Sequence, residues 1–154
     1  MRPSIEITQF VAAPRAAVYR ALLDGGAVAR WRVPDDMTSE VHEFQGVEGG
    51  YFRISLTYDQ PDRAGKSSSH TDTYHGHFRK LVPDQQVVEE TEFESTDPAL
   101  QGTMTMTTTL TDAPGGTEVT ITHEGLPATV DPADNELGTR MALTKLARLV
   151  EAGQ

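Results

Sequence analysis

Apolar and polar residues alternate through much of residues 38–124, whereas beyond Asp131 the apolar positions recur every three to four residues. A period of two puts successive side chains on opposite faces of a strand, and a period near 3.6 draws a stripe along a helix. The alternation is cut by turn-forming residues at Glu48-Gly49-Gly50, Pro83-Asp84 and Pro114-Gly115-Gly116. It therefore predicts strands near 38–45, 51–59, 70–82, 86–95, 102–112 and 117–124. Ahead of them, Ile5 and Ile7 alternate with Glu6 and Thr8, which predicts a first strand over 4–11. Pro14 suits the first turn of a helix whose stripe is Ala17, Val18, Ala21 and Leu22, expected to end at Gly25-Gly26. Residues 27–31 read as a second, turn-rich helix stopped by Pro34. Residues 60–69 read as a long exposed loop. The last element is a long helix capped by Asp131, with Pro132 at its first position and Gly153 at its end. Its buried stripe is Thr139, Ala142, Leu143, Leu146, Leu149 and Val150.

The predicted order is βααββββββα, an α+β domain in which a curved antiparallel sheet wraps the C-terminal helix. Folding the chain at Pro83-Asp84 pairs Val82 with Gln85, Phe78 with Glu89, Gly76 with Thr91 and Tyr74 with Phe93 on the candidate inner face. The outer face then sets His77 against Glu90, His75 against Glu92 and Thr73 against Glu94. Folding at Pro114-Gly115-Gly116 pairs Leu110 with Val119, Thr108 with Ile121 and Met106 with His123. The opposite face of that hairpin is polar throughout, so burial takes the methionine side and carries His123 inward. On the strand from Tyr51, the inward set is Phe52, Ile54, Leu56 and Tyr58.

A chain of 154 residues suits one domain burying roughly 68–70% of its unfolded surface. Cysteine is absent, which removes disulfides, thiolate metal sites and a thiol nucleophile. Twenty-three acidic against 13 basic residues leave a formal charge of −10, which works against nucleic acid and anionic membranes as partners. No segment approaches the roughly 20 apolar residues of a membrane span, so a soluble, cytoplasmic protein is expected. A homodimer is compatible with the chain.

No phosphate loop, nucleophile elbow or zinc-protease helix is present, so no motif asks for a cofactor. His75 and His77 share a strand face opposite acids, a spacing that resembles a metal site, but pairing with Glu90 and Glu92 on a solvated face is the better reading and no metal is assigned. His123 differs, because its expected neighbours are apolar and a buried imidazole must find a partner. It is a candidate ligand contact or general acid/base, with Asp72 and Tyr74 placed to position it. Trp31, Phe52, Ile54, Phe93, Met104 and Met106 are candidates to line a pocket, with Thr91, Thr108 and Thr139 as sparse polar groups and Leu143 on the helix side.

The segments VAAPRAAVYRALLD followed by Trp31, GGYFRISLTYD, TDTYHGHFRKLVPDQQVVE, GTMTMTTTLTDAPGGTEVTITHEGLP and DNELGTRMALTKLARLVEAG cover nearly the whole chain in order. Together they resemble the bacterial branch of the Hsp90-ATPase-activator-homologue-1-like family, within the START-like (SRPBCC) superfamily. The resemblance implies a single helix-grip domain over 1–154, with a cavity between sheet and helix that superfamily members use for lipids, hormones and polyketides. Many relatives carry a tryptophan after the helix glycine where this chain has Thr139, so that aromatic contact does not transfer. Fold likeness alone does not transfer chemistry either. Three functions follow as expectations: holding a small apolar or amphipathic molecule, a cyclase- or dehydratase-type reaction using His123, or a co-chaperone-like protein interaction.

Overall fold

Seven antiparallel strands form one curled sheet in the computed structural model, which describes residues 4–59 and 70–153. The loop reading over 60–69 lies outside those residues. The elements are β1 (Ile5–Val11), α1 (Arg15–Leu22), α2 (Gly25–Trp31), β2 (Met37–Phe44), β3 (Tyr51–Tyr58), β4 (Thr71–Val82), β5 (Gln86–Phe93), β6 (Met104–Ala113), β7 (Gly116–Glu124) and α3 (Pro132–Ala152). Strands β2 to β7 follow one another across the sheet, and β1 pairs with β7, giving the order β1-β7-β6-β5-β4-β3-β2. Helices α1 and α2 carry the chain from one edge to the other. This is the expected helix-grip α+β arrangement.

One predicted boundary is corrected. Gly25 and Gly26 do not end α1; they open α2, because the Asp24 side chain accepts a hydrogen bond from the Gly26 N–H at 2.9 Å. A carboxylate at the N-cap satisfies a helix donor that nothing else meets, which outweighs the helix-breaking tendency of two glycines. Helix α1 has already closed at Leu23, whose N–H bonds Arg20 O.

The β4–β5 register agrees with the sequence reading from Tyr74 to Phe78 and departs from it nearer the turn. A bulge between Phe78 and Lys80 inserts one residue, so Val82 pairs with Gln86 and not with Gln85. Asp84 takes φ 61 in the tight turn beyond it. The β6–β7 register follows the prediction throughout, from Thr105 opposite Glu124 to Ala113 opposite Gly116. At Gly76 a Cβ would stand 3.0 Å from the tip of the Phe52 ring and 2.1 Å from Glu90 O. Only glycine lets Phe52 lie against β4, and the ring then packs with Phe44 and Phe78 at centroid separations of 6.2 and 5.1 Å.

Helix α3 starts as predicted, with Asp131 accepting from the Ala133 N–H and Pro132 at its first turn, and it ends at Gly153. Ala142, Leu143, Leu146, Ala147 and Val150 are buried, while Thr139 and Leu149 are half-buried. The close backbone neighbours of α3 are β1, α1 and α2. Over the middle of the sheet its first turns stand off from the strands, and a space opens beneath them. No helix of the described residues is long and apolar enough to cross a membrane.

Candidate functional site

The space under α3 is a cavity of about 550 Å³. Its floor is the inner face of the sheet: Leu56 and Tyr58 from β3, Asp72 and Tyr74 from β4, Thr91 and Phe93 from β5, Met104 and Met106 from β6, and Ile121 and His123 from β7. The end of α2 contributes Trp31 and Arg32, and α3 closes the top with Asn135, Gly138, Thr139 and Ala142. Met141 and the exposed Leu137 stand at the rim. Each strand reaches the cavity through alternate residues, which is the period-two rule seen from inside.

Nine of the residues singled out in the sequence border this space: Trp31, Asp72, Tyr74, Thr91, Phe93, Met104, Met106, His123 and Thr139. Phe52, Ile54, Thr108 and Leu143 do not, and are corrected to core positions. Phe52, Ile54 and Leu143 are fully buried in the hydrophobic cluster, with Phe52 against the Phe44, Tyr74 and Phe78 rings. Thr108 is also buried, its Oγ1 without a hydrogen-bond partner among the described residues. Trp31 sits in the wall rather than at the mouth, with its indole N–H bonded to Ala21 O at 3.0 Å.

His123 finds its partner on α3 and not on β4. Its Nδ1 lies 2.9 Å from Asn135 Oδ1. An amide oxygen can only accept, so Nδ1 carries the ring hydrogen and Nε2 keeps a lone pair. That Nε2 is shielded from solvent and has no hydrogen-bond partner among the described residues. Burial pushes the imidazole pKa down; the Asn135 bond opposes this and the Arg32 charge adds to it, leaving a value of about 4.

A pH dependence of stability follows. The unfolded chain, with histidine near 6.5, binds this proton more tightly than the folded chain does, so stability rises with pH between about 4 and about 6.5 and is level above. At about 1.4 kcal/mol per pH unit the window spans about 3 kcal/mol at most. Urea midpoints measured at several pH values should show His123→Phe flattening the slope in this window relative to the parent. An unchanged slope would mean that the imidazole is not held neutral by the fold.

Arg32, Glu89 and Asn135 are site residues that sequence reasoning missed. Arg32 Nη1 donates to Glu89 Oε1 at 2.7 Å, with both side chains largely buried. The guanidinium lies 5.6 Å from the Phe52 ring centroid and 5.3 Å from that of Tyr74, and Nη2 is 4.0 Å from Met106 Sδ. Desolvation disfavours the charged guanidinium, but attraction to Glu89 outweighs it and holds the pKa above its ordinary value. Burial raises the Tyr74 pKa, with Arg32 pulling the other way. One signal was available: Glu89 opposite Phe78 is a carboxylate at an inward position, and such a group calls for a cation. Asn135 had no comparable signal.

The outer-face histidines pair with acids. His75 Nδ1 is 3.1 Å from Glu94 and its Nε2 3.6 Å from Glu92, and His77 Nε2 is 3.5 Å from Glu90. Glu94 also takes two hydrogen bonds from Arg53, at 2.8 and 2.9 Å, which hold its pKa below the usual range. Among the described residues no group of three or more His, Cys, Asp or Glu side chains is arranged to hold a metal.

The sequence model of the family described as Activator of Hsp90 ATPase homolog 1-like protein matches residues 12–151. The chain belongs to that family. The Activator of Hsp90 ATPase homolog 1-like fold recurs in a crystal structure from Chromobacterium violaceum, similar with a TM-score of 0.86 at 30% identity over 98% of this chain and 99% of the other. The AHSA1-like protein from Aeromonas hydrophila superposes with a TM-score of 0.71 at 20% identity, over 98% and 94%. A Staphylococcus epidermidis protein gives 0.76 at 18% identity, over 100% and 93%. The last two identities bear on the fold alone. No curated protein sequence matches the chain.

Proposed function

We propose that this member of the Activator of Hsp90 ATPase homolog 1-like family holds a small apolar or amphipathic molecule in the space beneath α3. The observation that carries the reading is the cavity itself, about 550 Å³, walled by Trp31, Phe93, Met104, Met106 and Ile121 and interspersed with polar and charged side chains that include Arg32, Asp72, Thr91 and Asn135. Small-molecule sites typically span about 300–1,000 Å³ with this balance of walls. Methionine side chains adapt to ligand shape, which suits two of them on adjacent inward positions of β6.

A second reading uses the unprotonated His123 Nε2 as a general base. A pKa of about 4 leaves it a weak base at neutral pH, since proton transfer is most efficient when the catalytic pKa lies near the working pH.

The test is titration with Nile red, a neutral apolar dye, together with native mass spectrometry of the purified protein. Saturable dye binding is expected, and Met106→Trp should weaken it by occupying part of the space. The same substitution should leave the urea midpoint nearly unchanged, whereas an indole forced into a packed core would cost about 1–3 kcal/mol. Undiminished dye binding by the variant, or a large loss of stability, would count against an empty ligand space.

A further inference from the structure

On the face of the sheet turned away from α3, a hydroxyl, an imidazole and a carboxylate are joined in a row. Ser55 on β3 lies opposite Glu40 on β2, and both point outward because their neighbours Ile54 and Val41 pack inward. His42, the next outward residue of β2, is the extra residue of a bulge between Val41 and Glu43 and has no partner on β3. Its ring reaches back to Ser55 instead. His42 Nε2 is 2.8 Å from Ser55 Oγ, and His42 Nδ1 is 3.0 Å from Glu40 Oε2.

A carboxylate only accepts, so the neutral ring carries its hydrogen on Nδ1 and offers the Nε2 lone pair to the Ser55 hydroxyl. Ser55 Oγ is also 2.7 Å from Thr73 Oγ1 on β4. With the single Ser55 hydrogen directed at His42, the Thr73 hydroxyl is the donor of that second bond. The hydrogens then run from Thr73 to Ser55 to His42 to Glu40, the direction in which a proton leaves the serine. A nucleophile within reach of a base that a third group orients is recognised by this geometry and not by sequence spacing. Strand β2 is an edge of the sheet, His42 is 30% exposed and Ser55 is half-buried, so a substrate meets the row from solvent.

The surroundings limit what the row can attack. Strand N–H groups beside Ser55 belong to the ladders with β2 and β4, and Arg53 gives Nε and Nη2 to Glu94. Little is therefore arranged to hold a tetrahedral oxyanion, which favours acyl donors whose leaving group departs readily, such as aryl esters and thioesters, over amides. We propose that Ser55 is an acyl-accepting nucleophile with His42 as its base, acting on activated esters at a site separate from the cavity. Ser55 Oγ bonds to the acyl carbon and its proton passes to His42 Nε2. The bond to the leaving oxygen or sulfur breaks, and that atom takes the proton from His42. Water, deprotonated by His42, then splits the acyl-serine to the carboxylic acid and restores the hydroxyl. Glu40 is a positioning residue that acts through the imidazole. At 73% exposed, it contributes less than His42 does.

The experiment treats the full chain at neutral pH with 4-nitrophenyl acetate and, separately, with a biotin-tagged fluorophosphonate, which transfers its phosphonyl group to an activated serine with loss of fluoride. Peptide mass mapping locates the product. Modification is expected at Ser55 and absent from Ser55→Ala. His42→Asn should slow the reaction at least about a hundredfold, the low end of what a positioned base supplies. Long-range proton–nitrogen NMR of the unreacted parent should show the neutral His42 ring with its hydrogen on Nδ1. Glu40→Ala should lose that preference and react about tenfold more slowly. Label on other hydroxyls or on lysine in place of Ser55, no label at all, an undiminished rate in His42→Asn, or a hydrogen on His42 Nε2 in the parent each overturns the proposal. None of these outcomes bears on ligand holding beneath α3.

Discussion

Glu89→Ala is expected to lower the unfolding free energy by about 3–5 kcal/mol, the usual cost of removing one partner from a buried ion pair. The carboxylate is 4% exposed and its Arg32 partner 14% exposed, so both charges have lost most of their contact with water. Without Glu89, the guanidinium is left against the Phe52 and Tyr74 rings and the Met106 sulfur. Those contacts offset part of the loss, because a desolvated cation over an aromatic face gains on the order of 2 kcal/mol. Urea denaturation of the single variants and of Arg32→Met/Glu89→Leu separates the contributions. The double variant should recover most of the stability, since apolar groups of similar volume often replace a buried pair at no net cost. A Glu89→Ala loss below about 1 kcal/mol would match a solvated pair and contradict the burial described above.

Leu146→Ala is the second large effect, at about 2–5 kcal/mol, the range for truncating a buried leucine. Leu146 is 0% exposed on the half of α3 that rests on β1, α1 and α2. The wall there is already packed, so the deleted methyl groups leave a void that little can fill. Leu149→Ala, on the same helix but only partly buried, should cost clearly less. Equal denaturation midpoints for Leu146→Ala and the parent would mean that α3 is held by another face.

The two-residue alternation made the inner and outer faces of β3 to β7 legible without coordinates, because each inward residue is fixed once its neighbour is outward. That is why Met106 opposite His123 and Gly76 opposite Thr91 appear in the structure as read from the chain. Asp131 and Pro132 marked the start of α3 equally well, since caps act within one turn. The bulge at Arg79 escaped notice, as no local residue pattern demands an extra residue in one strand. So did the start of α2, where a capping bond from Asp24 decided between two readings of Gly25-Gly26.

Which inward residues face a cavity and which face solid core was not a property of the pattern at all. Phe52 and Met106 are both inward, yet only Met106 borders the space, because Phe52 is closed in by the Phe44, Tyr74 and Phe78 rings and by the Arg32 guanidinium. The Arg32–Glu89 pair and the His123–Asn135 bond join residues 57 and 12 positions apart on different elements. By itself, the sequence determined the elements, their order and the sidedness of each strand, all of which depend on neighbours within a few residues. Only the tertiary structure decided where the helix leaves room, which charge neutralises Arg32 and which nitrogen of His123 is left bare, because each depends on how two distant elements come together.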